Sequence, residues 1–166
     1  MVRREEAQIS SLVYVVIAVV MMFFHIDLEA YSLRPDCTLF DRIVFQFLHV
    51  NWLHCIVNCW CILCVVFLYD VFPWMLIASL IIPAVFPVGL MNLLSIAPTV
   101  GGSGIFYCLV GLCSINAVNK LRYHLWWAFF IAIGFLFGNM NVYLHLWCYT
   151  LGWMLASFNS LLSCRR

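Results

Sequence analysis

The chain has 166 residues, 66% of them hydrophobic and only 9% charged, with a formal net charge of +1. That leaves too little polar surface for an ordinary soluble domain. It also excludes an electrostatic nucleic-acid binder, since no basic stripe with interleaved aromatics occurs.

The charges cluster and leave long apolar runs between them. This pattern predicts an all-α integral membrane protein of six transmembrane helices, forming one domain over 1–166. A first span over 9–24 follows Arg3-Arg4-Glu5-Glu6. No small-x-small cleavage site follows closely, so it reads as a span and not as a signal peptide. A polar stretch over 25–42 comes next. The second span covers 51–68 and ends at Tyr69-Asp70, and Pro73 then helps a tight turn into a third over 72–94. A loop with Pro98 and two glycines leads to a fourth over 103–118. The fifth covers 125–137, and Gly138-Asn139-Met140-Asn141 turns the chain into the sixth over 143–162.

Six spans put Arg3, Arg4, Lys120, Arg122, Arg165 and Arg166 on one side, against Arg34 and Arg42 on the other. By the positive-inside rule both termini face the cytoplasm. The expected location is the bacterial inner membrane, multi-pass, with lipid as the surrounding medium. The fourth and fifth runs are short for the ~20 residues a crossing needs. A short span is tolerated beside a loop that dips into a wet, protein-lined cavity, and 95–102 is the candidate. The nine cysteines lie mostly in apolar runs (Cys55, Cys59, Cys61, Cys64, Cys108, Cys113, Cys148), where cysteine acts as a small hydrophobe. The Cys59-x-Cys61-x-x-Cys64 cluster lacks His or acidic partners and reads as packing, so no metal set is visible.

Ionisable groups inside spans are functional candidates by default. Three places qualify: His49 with His54 and Asn58, the string Gly101-Gly102-Ser103-Gly104, and His145. Singly, each has a plain reading as an interfacial histidine or a glycine loop. Together they begin spans two, four and six, which run in one direction, so they lie at one depth toward the outer leaflet. His54 and Asn58 share a helix face, as do Ser103 and Tyr107. Gly104, Cys108 and Gly111 form one small-residue strip, and Cys148 with Gly152 form another beyond His145. Such strips let helices approach closely and would bring Ser103 to His145. An imidazole can then take the serine proton. First-turn N–H groups at Ser103, with His54 and Asn58, can donate to an oxyanion. No acid is placed to orient His145, so a Ser–His dyad is inferred.

These residues resemble the rhomboid intramembrane serine proteases. His49-Val50-Asn51-Trp52-Leu53-His54-Cys55-Ile56-Val57-Asn58 is similar to the family's H-x-x-x-x-H-x-x-x-N stretch. Gly101-Gly102-Ser103-Gly104 matches its G-x-S-G motif, Tyr107 the tyrosine one turn on, and His145 with Gly152 the last-span motif. The likeness covers about Phe40 to Leu155. It departs at Leu144 and Cys148, where the family has alanine and glycine, and at Phe40-Asp41-Arg42, the nearest match to a Trp-Arg pair. The resemblance implies an intramembrane endopeptidase that hydrolyses transmembrane helices of other proteins without a cofactor. Ser103 would be the nucleophile and His145 the base. His54, Asn58 and the Ser103 N–H would form the oxyanion hole. Tyr107 would pack on His145, with His49, Gly101, Gly104 and Gly152 in support.

Two other readings compete. A catalytically inactive rhomboid-like protein would bind membrane clients, but would have no reason to keep both Ser103 and His145. A transporter would line a path through the bilayer with polar groups, of which the inner halves of the runs carry almost none. Substrate identity and oligomeric state are not encoded in any motif.

Overall fold

The computed structural model describes residues 2–137 and 140–163. Gly138-Asn139 and Cys164-Arg165-Arg166, assigned above to the last turn and the basic C-terminal end, lie outside the described residues. Among those described, eight α-helices follow one another: α1 (Val2–Met21), α2 (Asp41–Val44), α3 (Trp52–Leu68), α4 (Pro73–Ala84), α5 (Gly89–Leu93), α6 (Ser103–Cys113), α7 (Lys120–Gly134) and α8 (Val142–Ser163). A 3-10 turn at Ser114–Asn116 extends α6. An isolated antiparallel bridge joins Leu33 to Thr99.

Local chemistry sets the helix ends. The Asn51 side chain accepts the His54 N–H at 2.8 Å and caps α3, and Asn119 accepts the Arg122 N–H at 2.9 Å and caps α7. Asparagine suits both places because its short side chain reaches a donor that has no partner within the helix. Pro73 opens α4, where a missing N–H costs nothing. Pro83 sits inside the same helix and removes an interior donor. The chain leaves the helix at Ala84 and resumes as α5. Arg42 covers the break, donating to the Ala84 and Phe86 carbonyls at 3.2 and 3.0 Å.

α6 is the central helix, with nine of its 11 residues buried. Its closest neighbour is α8. A Cβ on Gly111 would run into the Tyr149 carbonyl oxygen, and one on Gly152 into that of Cys108. The two backbones therefore touch through glycine, small strip against small strip. Cys148 fits between them without spreading the pair. Its sulfur lies 3.5 Å from the place a Gly104 Cβ would take.

The expected bundle of six membrane spans needs correction. Among the described residues no helix is long and apolar enough to cross a membrane. α3 has 17 residues, α4 12, α6 11 and α7 15, all short of the ~20 that a crossing takes. The third apolar run breaks at Pro83, and the fourth stops at Cys113 and tightens into the 3-10 turn. α7 starts at Lys120, five residues before the expected position, and so takes charged residues into its first turn. The longer helices are interrupted by polarity: α1 opens on Arg3-Arg4-Glu5-Glu6, and α8 carries His145, Thr150, Ser157 and Asn159. The multi-pass inner-membrane location, with cytoplasmic termini and a site open to the outer face, falls with the spans that supported it. Large apolar side chains still stand on the outer faces, Leu53, Trp60, Leu121 and Leu161 among them.

Candidate active site

The loop before α6 is held by backbone on two sides. Leu33 and Thr99 exchange N–H to carbonyl bonds at 2.9 and 3.1 Å, and the Gly101 N–H donates to Phe45 at 2.9 Å. Gly101 has φ +123°, and a Cβ there would stand 2.8 Å from Cε1 of His54. Both facts require glycine. The Gly102 N–H then points at Nε2 of His49, 3.4 Å away. α6 begins at the next residue, so the Ser103 N–H belongs to a first turn with no intrahelical acceptors.

His145 comes from the start of α8. Asn141 accepts the Leu144 N–H at 3.0 Å, which caps the helix and places His145 in its first turn. His145 Nε2 lies 2.9 Å from Ser103 Oγ. The Tyr107 ring, one turn beyond Ser103, stacks on the imidazole with centroids 4.3 Å apart and planes 24° from parallel. His145 is 3% exposed. Burial, and secondarily the nearby His54, pulls its pKa down to about 4. At neutral pH the ring is therefore uncharged and can accept a proton.

Ser103, His145, Tyr107, His54, Asn58 and Asn141 line one cavity of about 230 Å³. No carboxylate is among the residues described around it. Asp70, the acid nearest in sequence to these helices, pairs with Arg4 at 3.3 Å. His54 lies against Gly101 and is held toward its neutral form by burial. Asn58 donates one amide hydrogen to the His54 carbonyl at 2.9 Å and keeps a second for another acceptor.

No family model matches this chain, and neither does any curated protein or solved structure.

Not every residue singled out in the sequence lies on this cavity. His49 is buried behind it, edge-on to His54 at 5.1 Å. Burial first, then His54, lowers its pKa to about 4, while the Phe47 carbonyl offsets part of that without reaching hydrogen-bond geometry with Nδ1. Gly152 serves the contact between α6 and α8, and Gly104 packs first against Pro83 of α4, with the Cys148 sulfur beyond. Sequence reasoning missed Thr99, Phe106 and Asn141, all on the cavity wall. A signal for Asn141 was present: an asparagine just before an apolar helical run marks an N-cap.

Proposed function

We propose that this chain is a serine endopeptidase of the rhomboid type, acting through a Ser103–His145 dyad. The 2.9 Å separation of Ser103 Oγ from His145 Nε2 carries the reading. Ser103 Oγ would attack the peptide carbonyl while Nε2 takes its proton. The same nitrogen would then return a proton to the departing amine, leaving an acyl-enzyme for water to hydrolyse. The Ser103 N–H, the His54 ring and the second Asn58 amide hydrogen would donate to the oxyanion. The resemblance supplies the substrate class, transmembrane segments of other proteins, and lipid is proposed as a neighbour of the apolar outer faces.

The test is incubation of the purified full chain with a protein carrying a transmembrane segment, comparing wild type with Ser103→Ala and His145→Ala. Cleavage by wild type alone is the expected result, with losses on the order of 10³-fold or more in each variant. Equal cleavage by wild type and Ser103→Ala would overturn the reading. Tight association with no cleavage would favour the inactive, client-binding alternative.

A further inference from the structure

Asn141 does more than cap a helix. Its Oδ1 accepts the Leu144 N–H at 3.0 Å, which leaves the amide nitrogen facing the other way. There Nδ2 donates to Thr99 Oγ1 at 3.0 Å. The Thr99 hydroxyl in turn donates to the Ala97 carbonyl at 3.1 Å. Each hydrogen in this relay has one acceptor, so its polarity is fixed. A flipped amide would set a donor against the Leu144 N–H. Asn141 is only 6% exposed and Thr99 half-buried, so the bond itself is part-buried.

The relay's position gives it a role. Thr99 stands four residues before Ser103 and Asn141 four before His145, on the two chain segments that deliver the dyad. Among the described residues, Thr99 also ties this junction to the first loop through its backbone bridge to Leu33. This side-chain bond joins the loop that leads into α6 to the start of α8, at the end of the α6–α8 contact where Ser103 and His145 meet. We propose that Thr99 and Asn141 are positioning residues for the dyad: their hydrogen bond fixes the start of α8 against the loop that leads into α6, and so the Ser103–His145 separation. This rests on the serine-peptidase reading.

The test uses a fluorophosphonate probe on the full chain, following covalent labelling of Ser103 and separating kinact from KI. Thr99→Val removes the acceptor but leaves the backbone bridge. Asn141→Ser keeps a good cap and is too short to reach Thr99. Each should lower kinact about tenfold with KI unchanged, since a small misplacement of reacting groups is costly. Thr99→Ser, which retains the hydroxyl, should label within about twofold of wild type. The double variant should be no slower than the slower single, because both remove one interaction. Wild-type kinact in both Thr99→Val and Asn141→Ser would overturn the inference while leaving the peptidase reading intact. Equal slowing in Thr99→Ser and Thr99→Val would also overturn it, pointing to packing and not to the hydroxyl. Absence of wild-type labelling would remove the dyad itself and the inference with it.

Discussion

The Tyr107 and His145 rings stack 4.3 Å apart, so one helix, α6, supplies both the proposed nucleophile, Ser103, and the plate against which the proposed base rests. In a triad a carboxylate orients the histidine by hydrogen bonding and stabilises the imidazolium. An aromatic face limits ring rotation in the same way, but offers the imidazolium only the weaker attraction of its ring quadrupole in place of a full charge. Tyr107→Phe should therefore keep activity within about twofold, whereas Tyr107→Ala should lose about tenfold or more in kcat/KM. Peptidase rates for the two variants check this. An equal loss in both would assign the role to the tyrosine hydroxyl.

The glycine contact between α6 and α8 has no slack. Gly111→Ala and Gly152→Ala would each push a methyl into a backbone carbonyl of the facing helix, and backbone cannot move aside as a side-chain tip can. Each should cost about 1–3 kcal/mol, read as a lower midpoint in chemical denaturation. Activity should fall too, because separating the helices separates Ser103 from His145. Gly89→Ala is the control, since nothing stands within 4 Å of its Cβ position.

Arg42 donates to two carbonyls at the break after Pro83. Arg42→Ala would leave both without that donor in a part-buried place and should destabilise by about 1–3 kcal/mol. Arg42→Lys should recover only part of this, because a single ammonium cannot reproduce the planar fork. Thermal unfolding of the three proteins, in one buffer, measures the difference.

The site was more legible in the sequence than the architecture. Four-residue spacing put His54 with Asn58, and Ser103 with Tyr107, on one helix face whatever surrounds the helix, and the small strips and the resemblance brought His145 to them, on the one cavity the five residues line. The small strips at Gly111 and Gly152 were readable for the same reason. The spans were not, because an apolar run is not a helix length. Ile81 and Val85 flank Pro83 in one unbroken apolar stretch, yet the proline ends α4 between them. Lys120 and Arg122 looked like a loop, yet the Asn119 cap draws both into α7. The Thr99–Asn141 bond joins residues 42 apart, and no local pattern announces a contact of that range.

Activity and stability should both depend on pH through His145. His145 must be uncharged to accept the Ser103 proton, and its pKa is lowered from 6.5 to about 4 by burial, with His54 adding to the effect. The acid limb of kcat/KM should therefore fall near pH 4, not near the ordinary histidine value. Stability moves in the same window. Between pH 6.5 and 4 the unfolded chain binds a proton at this position that the folded chain refuses, so unfolding takes up a proton and stability falls as pH falls. For a shift of this size the loss is on the order of 3 kcal/mol across the window, and it levels off below the folded pKa. His49, lowered to about 4 by its own burial and by His54, adds a parallel loss. Denaturation midpoints at pH 7.5 and 4.5 should differ less in His49→Phe than in wild type. An acid limb near pH 6.5, with no change in stability between these two values, would show that the His145 ring is solvated and that the cavity is open to water.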